Sequence, residues 1–332
     1  MIGKRGLLLL GSAAAASIAA ALLLRPEGET DGQFSPGTLA FPGLAPRLAA
    51  AARIELVRGA QITTLTRDGE DWRIGEAHGY AARRERVREV LTGLTELRLV
   101  EERTSDPARH AQLGVDDPRG AGTTASLLRV LDAQGTPLAE LVLGRRRVRT
   151  QGNVPESIYV RRPAEGRAWL AEGRLLADAD PQLWIDRDIA NLAPARLLRV
   201  EVTRAGEPPL ALARAGEVDA PLEIAIPDNP PVVDRVALDE IARGFDMLSF
   251  IEVLPAAAMP GEALGASRFL YTDDVTITVW SQRAGELLWV RLQAEGGPEA
   301  QALQARWNGW AYQVGVWKEK AFIPKLEDLL PA

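Results

Sequence analysis

The sequence contains no cysteine, and this absence excludes several kinds of chemistry. A chain without thiols forms no disulfide, offers no thiolate to a metal, has no cysteine nucleophile and carries no cysteine for lipoprotein acylation. Histidine is scarce as well: His78 and His110 are the only two, and neither has a partner at metal-ligand spacing. We therefore expect no metal site and no cofactor, so stability has to come from packing.

Three signatures of catalysis and phosphate binding are also missing from the sequence. There is no GxSxG nucleophile elbow, no GxxxxGK(S/T) loop and no GxGxxG turn. These absences argue against the usual hydrolases and against common nucleotide-binding folds. We expect a protein that is not an enzyme.

Positive charge is in the minority, with 39 Lys and Arg against 45 Asp and Glu and a net charge of -6. Binding to nucleic acid requires a basic surface that neutralises phosphates, so a nucleic-acid partner is not expected. The 46% hydrophobic and 25% charged content is typical of a folded globular protein. Because 332 residues exceed one ordinary domain, we expect two domains or two copies of one.

What the sequence does contain begins with an export segment. Residues 1–5 carry Lys4 and Arg5 and form the predicted cytoplasmic tip, and residues 6–24 follow without a charge. This span of 19 residues is long enough to cross a bilayer core of about 30 Å as a helix and exceeds the roughly 7–15 apolar residues of a cleavable signal. We expect a transmembrane signal anchor; cleavage within the alanine-rich stretch and a buried cytoplasmic helix are the alternatives.

The positive-inside rule then predicts where the rest of the chain lies. Lys4 and Arg5 stay in the cytoplasm, so everything after Arg25 should lie in the periplasm or extracytoplasmic space. The protein would be held to the inner (cytoplasmic) membrane in a single pass, through residues 6–24. Residues 25–47 are rich in proline and glycine and are predicted to be a linker, with structured protein beginning near Leu48.

The body of the chain contains an internal repeat. A helix is predicted within residues 81–97, and its apolar positions recur as apolar residues 151 positions later. The first set is Val87, Val90, Leu94, Leu97 and Leu99, and the second is Leu238, Ile241, Phe245, Leu248 and Phe250. The same offset relates Arg84 to Arg235, Glu101 to Glu252, and Leu113–Gly114 to Leu264–Gly265. This correspondence predicts two copies of one module.

Each copy is predicted to have the order β-β-α-β-β-β-α, with short closing helices at residues 171–179 and 318–330. The first copy covers residues 48–197, including a packed connecting segment, and the second covers residues 198–332. Because the order lacks strict βαβ alternation, the expected fold class is α+β with mostly antiparallel sheets, preceded by one N-terminal transmembrane helix.

Short motifs of the chain, taken in order, resemble those of the bacterial domain of unknown function 4340 family. They are FPGLAPRLAAAARIEL from Phe41, DWRI before the helix, QLGVDDP after it, and LVLG followed by SIYV, together with the tandem repeat. The resemblance covers most of the chain from about Phe41 onward. It implies a membrane-anchored extracytoplasmic protein of a kind often found beside ABC transporter components of the gliding-motility type, and it carries over no catalytic residue. The second copy departs from the pattern, with no tryptophan near Glu223 and LGASR in place of the Gly-Leu-Asp-Pro-like turn.

Two pairs of neighbouring carboxylates, Asp116–Asp117 and Asp273–Asp274, are candidates for acid–base chemistry or for a hard cation. Adjacent acids in a turn more often cap it through their own backbone, and this is the interpretation that we favour. His78 and His110 are expected to be exposed loop residues.

Two further features are candidate interaction surfaces. The basic run Arg145, Arg146, Arg147 and Arg149 suits an acidic partner or anionic lipid headgroups, with a solvated hairpin loop as the alternative. Trp307 and Trp310 flank Asn308–Gly309, which predicts a two-residue hairpin with the rings paired across it. We favour sheet packing for these rings, with a platform for glycan or peptide as the alternative.

These observations favour a non-catalytic, membrane-anchored extracytoplasmic protein that acts through protein contacts in the cell envelope, auxiliary to an ABC transporter of the gliding-motility type. An envelope module that binds glycan or peptide in the cleft between the copies, with the Trp-rich second sheet, is the alternative. An enzyme that uses Asp116, Asp117 and nearby arginines is the least favoured hypothesis.

Overall fold

The computed structural model describes residues 37–147, 155–215 and 220–331. The predicted cytoplasmic tip (residues 1–5), the predicted membrane span (residues 6–24) and Arg149 lie outside these ranges. Within them, no helix combines the length and the apolar character needed to cross a bilayer.

The fold is mixed α and β, and all pairings between the described strands are antiparallel. The first part of the chain forms a ten-stranded sheet. Its strands are β1 Thr38–Leu39, β2 Ala51–Arg58, β3 Gln61–Asp68, β4 Asp71–Ile74, β5 Tyr80–Ala81, β6 Arg98–Glu102, β7 Ser126–Asp132, β8 Pro137–Arg147, β9 Ser157–Arg161 and β10 Ala168–Glu172. They lie side by side in the order β1-β6-β10-β9-β8-β7-β2-β3-β4-β5. The helices of this part are α1 Leu44–Arg47, α2 Arg84–Glu96 and α3 His110–Leu113.

The second part forms an eight-stranded sheet. Two short strands, β11 Asp188–Ala190 and β15 Leu248–Ser249, pair with each other in a separate two-stranded sheet. The strands of the second sheet are β12 Leu197–Arg204, β13 Leu210–Arg214, β14 Leu222–Ile226, β16 Glu252–Pro255, β17 Glu262–Tyr271, β18 Val275–Ala284, β19 Leu287–Gly296 and β20 Trp310–Val314. Their order is β14-β13-β12-β17-β18-β19-β20-β16. The helices are α4 Arg235–Ala242, α5 Pro298–Trp307 and α6 Glu319–Phe322.

The helix α2 forms because its apolar residues recur at helical spacing and find a buried face. Val87, Val90 and Leu94 lie on one side of it and are buried. Gly93 is on the same side, and a Cβ there would lie 2.5 Å from the carbonyl oxygen of Arg174. Only glycine therefore lets the helix approach the segment after β10 so closely. All ten apolar residues related by the 151-residue offset are buried, and α2 and α4 begin at the related residues Arg84 and Arg235.

One continuous hydrophobic core extends through both sheets. One face of the first sheet contributes Ile54, Leu128 and Leu141, and the second sheet contributes Ile277 and Val290 to the same cluster. On the opposite face of the first sheet, a smaller cluster contains Val57, Val115, Ala125, Leu127, Val142 and Ala168. Since neighbouring residues of a strand point to opposite faces, Leu127 and Leu128 belong to different clusters.

Three expectations about local structure are wrong. The helix expected at residues 171–179 is instead the end of β10 followed by non-helical chain. Because β10 lies between β6 and β9 with both faces covered, Ala168, Trp169 and Ala171 are all buried and the strand lacks alternation. The predicted linker, residues 25–47, is structured from residue 37 onward: β1 pairs with β6, and Leu44 of α1 is buried.

The third error concerns the related glycines. Gly114 follows α3 with a φ of 69°, whereas Gly265 lies inside β17 with a φ of 143°. The two Leu-Gly pairs therefore occupy different elements. The offset of 151 residues holds from the helix to Glu101 and Glu252 and is then lost, because the chain between β6 and β7 is longer than that between β16 and β17.

Phe245 is the aromatic centre of the core below the second sheet. Its ring centroid lies 5.1 Å from that of Phe322, 5.3 Å from that of Phe269 and 6.5 Å from that of Trp307. Replacing it with alanine leaves a cavity that these rings cannot fill, so we predict that Phe245→Ala lowers the free energy of unfolding by about 3–5 kcal/mol.

Urea unfolding followed by circular dichroism measures this loss. Leu287→Ala is the matched control, because this residue of β19 is 43% exposed and its truncation should change stability by about 0.5 kcal/mol or less. A loss below about 1 kcal/mol for Phe245→Ala would contradict the packing described.

Candidate functional site

The basic run lies where β8 leaves the first sheet. Arg145, Arg146 and Arg147 are exposed, and Arg146 Nη2 lies 2.7 Å from Glu156 Oε2 across the hairpin. Immediately before them, a Cβ on Gly144 would lie 2.5 Å from the carbonyl oxygen of Leu113 and 2.6 Å from Val115 Cγ1. Glycine is therefore required where the chain after α3 crosses β8, and the pairing of β8 with β9 shifts at this point.

Arg146 contributes to a pocket at this end of the first sheet, which we call the basic pocket. Its volume is about 270 Å³, and its polar lining consists of Arg58, Arg86, Arg146, Thr124, Ser126 and Asp178. Arg58 holds Asp178 by two hydrogen bonds, of 3.1 and 3.0 Å, which fixes both side chains. The three arginines come from β2, α2 and β8, so no local sequence pattern identifies this group.

A second pocket, the outer pocket, lies on the face of the first sheet that carries the smaller apolar cluster. Its volume is about 490 Å³, and its charged lining consists of Asp116, Asp117, Arg119, Arg129, Glu140 and Arg161. Asp117 Oδ1 accepts a hydrogen bond from the backbone N–H of Arg119 at 2.9 Å, so this carboxylate caps its own turn as predicted. Asp116 Oδ2 accepts a bond of 3.2 Å from the Thr123 hydroxyl.

Arg161 is the residue that organises the outer pocket. Its Nε donates to the carbonyl oxygen of Val115 at 2.8 Å, and Nη2 donates to that of Asp116 at 3.3 Å. Nη1 donates to the carbonyl oxygens of Arg162, Pro163 and Glu165, at 3.1–3.2 Å. Partial burial lowers the pKa of this guanidinium, while Asp116 and Asp117 act in the opposite direction. The side chain thus holds two loops together.

His110 is buried, contrary to expectation. The side chain is 6% exposed, and its Nε2 lies 2.8 Å from the carbonyl oxygen of Gly166. The sequence could not show this, because Gly166 lies in the loop between β9 and β10, 56 residues further along the chain. His78 is exposed and has a φ of 56°. Among the residues with assigned positions, no group of three or more potential metal ligands occurs.

Asp273 and Asp274 form the tip of the β17–β18 hairpin, with φ values of 62° and 55°. Asp273 Oδ2 lies 3.4 Å from Arg196 Nη2, and the same guanidinium is 2.6 Å from Glu299 Oε2 on α5. These interactions give Asp273 a structural role, because they tie the hairpin tip to the start of β12.

The predicted Trp307–Trp310 hairpin is wrong. Trp307 is the last residue of α5 and Trp310 the first of β20, so Asn308–Gly309 ends a helix instead of joining two strands. Gly309 has a φ of 84°, and a left-handed glycine serves either role. Trp307 is 1% exposed and donates from Nε1 to the carbonyl oxygen of Ile189 at 3.2 Å. Trp310 is half-buried and packs edge-on against Tyr80, 5.0 Å away.

The structure also exposes apolar side chains that the sequence analysis missed. One lies on α4 and the others lie beside its two ends, and we call them the apolar rim: Val232, Val236, Met247, Val316, Trp317 and Leu330. The backbone N–H of Asp234 donates to the carbonyl oxygen of Leu329 at 2.8 Å, which places Leu330 beside the start of the helix. Lys318 Nζ donates to the carbonyl oxygen of Gly244 at 2.9 Å, which places Trp317 beside its end.

Only Val236 lies on α4, and the other rim residues come from separate segments of the chain, so no local sequence pattern marks the rim as a surface. Val232, Met247 and Trp317 are 82, 81 and 73% exposed. Met247 has a φ of 45°, and its backbone N–H donates to Asn191 Oδ1 at 3.1 Å. A bulky residue held in this conformation points to a loop fixed by its surroundings.

The role of Arg161 gives a testable prediction. Replacing it with glutamine removes charged hydrogen bonds to carbonyl oxygens of two loops, so we predict that Arg161→Gln lowers the free energy of unfolding by about 1.5–3 kcal/mol. Arg119→Gln removes an equal charge from an exposed residue of the same pocket and should have little effect. Thermal unfolding of both variants measures the difference, and equal stabilities would refute the role assigned to Arg161.

Compared with known proteins, the chain matches no curated protein and no solved structure. One family model does match, that of a domain of unknown function, DUF4340, over residues 72–266. The match runs from β4 to β17, so it takes in the basic pocket's Arg86 and Arg146, the outer pocket and α4, and it covers more than half of the chain. The protein belongs to the DUF4340 family.

Proposed function

We propose that this protein is a non-catalytic, membrane-anchored extracytoplasmic protein that acts through protein contacts in the cell envelope. We further propose that it is auxiliary to an ABC transporter of the gliding-motility type. The location rests on the N-terminal sequence, where Lys4 and Arg5 precede the uncharged span of residues 6–24. The negative net charge argues against a nucleic-acid partner.

The apolar rim is the observation that carries the proposal of protein contacts. Large apolar side chains exposed together on a folded protein are typical of interaction sites, whereas single exposed ones are common everywhere. Here six of them lie on or beside a helix of eight residues, about 12 Å long. A partner that covers the rim would remove this apolar area from water, and an aromatic anchor such as Trp317 is a frequent hot spot.

The state of the charged groups supports a non-catalytic role. In the outer pocket, Asp117 caps a turn, Arg161 binds backbone carbonyls, and Arg129 Nε lies 2.6 Å from Glu140 Oε1. A general base or nucleophile needs a side chain that is available to a reacting molecule. These side chains are already held by structural partners.

The proposal for the fold is that the two sheets are copies of one module. Eight strands of the first sheet lie in the order β4-β3-β2-β7-β8-β9-β10-β6, and those of the second lie in the order β14-β13-β12-β17-β18-β19-β20-β16. Strands at the same place in the two lists also come in the same order along the chain. The helices α2 and α4 are inserted at the same point of that order, after β4 in the first sheet and after β14 in the second. The order β-β-α-β-β-β-α needs revision, because Asp71–Ile74 and Leu222–Ile226 are separate third strands and the first copy ends in β10.

The alternative function, a glycan- or peptide-binding module, has less support. A platform for sugar rings on the second sheet needs exposed aromatic faces, but Trp307 is buried and Trp310 packs against Tyr80. The exposed Trp317 lies outside the sheet, in the apolar rim. Trp280 is half-buried, and the guanidinium carbon of Arg291 lies 4.0 Å from its ring centroid, so one face of that ring is already covered.

The test treats intact spheroplasts with a membrane-impermeant cross-linker and purifies the full-length protein from solubilised membranes. We predict that the wild-type protein recovers membrane proteins of the envelope, including transporter subunits. The double variant Met247→Glu, Trp317→Glu places charge in the rim and should reduce this recovery at least about tenfold, because charges that enter an apolar interface lose their hydration.

Ile62→Glu is the matched control, because Ile62 is 51% exposed on β3 of the first sheet and lies outside the rim. It should recover partners as the wild type does. Recovery of no envelope protein, or equal recovery by the rim variant, would refute the proposal.

A further inference from the structure

We infer that the basic pocket binds a small oxyanion, a carboxylate or phosphate group. This goes beyond the proposed function, which makes no use of the pocket. Of its charged lining residues, Arg58, Arg86 and Arg146 are cationic and Asp178 is anionic. Glu156 lies 2.7 Å from Arg146 and Glu89 lies 3.5 Å from Arg86, so what the pocket offers an anion is a group of guanidinium donors, of which Arg86 has the longest ion-pair distance.

Arg86 is the residue with donors left over. Its Nε is inaccessible to solvent and makes no hydrogen bond among the described residues. Its acidic neighbour is Glu89, whose Oε2 lies 3.5 Å from Nη1, longer than a charge-assisted hydrogen bond. A guanidinium offers five N–H donors in a planar fork, and leaving them unpaired in a partly buried site is unfavourable. Because Nε is closed to solvent, an oxyanion in the pocket would bond to the terminal Nη1 and Nη2 donors of this side chain, which is 21% exposed.

The surroundings hold Arg86 in place for such a ligand. Its guanidinium carbon lies 5.9 Å from the centroid of Trp184, which is fully buried and therefore a fixed surface. The Nε1 of Trp184 donates to the carbonyl oxygen of Asp178 at 2.9 Å, and Asp178 is in turn held by Arg58. These contacts pre-organise the cationic side of the pocket, which reduces the entropy lost on binding.

The remaining lining groups suit an anion as well. The carboxylate of Asp178 is paired with Arg58 and accepts a hydrogen bond from the backbone N–H of Asp180 at 3.0 Å, so its negative charge is offset within the pocket. Ser126 and Thr124 offer hydroxyl groups, which donate readily to oxyanions. Arg146 is exposed and is paired with Glu156 through Nη2, so its remaining N–H groups are available as further donors.

The size of the pocket limits the ligand. A volume of about 270 Å³ is smaller than the roughly 300–1,000 Å³ of pockets for drug-sized molecules. The pocket therefore suits one phosphate or carboxylate group, free or at the end of a larger molecule.

Isothermal titration of the full-length protein with inorganic phosphate and, separately, with acetate tests the inference at constant ionic strength in a chloride buffer. The wild type should bind at least one of the two saturably at one site. Arg86→Gln should bind it at least about tenfold more weakly, since one charge-assisted interaction is lost. The tighter of the two probes assigns the ligand class.

Arg88→Gln is the matched control, because Arg88 is an exposed arginine two residues further along the same helix and lies outside the pocket. It should bind as the wild type does. If Arg86→Gln fails to fold, Arg146→Gln replaces it, with weaker binding expected. No saturable binding of either probe, or equal binding by wild type and the folded pocket variant, would overturn the inference.

Discussion

The arrangement of the two sheets depends on the chain between β10 and β12, and above all on Trp184. This side chain is fully buried, and its backbone carbonyl accepts a hydrogen bond of 2.7 Å from the N–H of Arg83, at the entrance to α2. The next residue, Ile185, forms an isolated bridge with Ala82. A few residues later β11 pairs with β15, and the carbonyl of Ile189 accepts the indole N–H of Trp307. Residues 184–190 of this connection therefore contact both the start of α2 in the first part and β15 and Trp307 in the second part.

The charged pockets and the exposed apolar residues lie in different parts of the molecule. Tyr80 of β5 packs against Trp310 and Tyr312 of β20. Trp307 is buried with its indole N–H bound to the carbonyl oxygen of Ile189, so these rings serve packing. The pockets with concentrated charge lie at the end and on the outer face of the first sheet. The exposed apolar residues lie around α4 in the second part. The two halves therefore present different chemistry, although their strands follow the same order.

The sequence predicted those features that are encoded locally. Val87, Val90 and Leu94 repeat at helical spacing and are buried as expected, and the α+β class follows from the order of the elements. Prediction failed where the outcome depends on distant partners. The strand β10 lost its alternation because both faces are covered, and His110 became buried because a loop after β9 covers it. Asn308–Gly309 fits a hairpin and a helix end equally well, so only the preceding ten helical residues decide between them.

The same reasoning applies to the candidate sites. Arg146 was recognised as part of a basic run, but its partners Arg58 and Arg86 come from strands and helices far away in sequence. The apolar rim is recognised by the exposure of its side chains in the folded chain, and a sequence pattern does not contain that information. The spacing between corresponding residues of the two parts is constant from α2 and α4 to Glu101 and Glu252, and it is lost after them because the following loops differ in length.

Native-state hydrogen exchange most directly tests the claim that this connection makes the two sheets one folding unit. The account predicts that amides of β7 and of β18, each within its own sheet, exchange through the same global unfolding, with free energies within about 1 kcal/mol of each other. It also predicts that Trp184→Ala lowers both free energies together, by about 3–5 kcal/mol. Different free energies for the two sheets, or a loss confined to the first sheet, would contradict it.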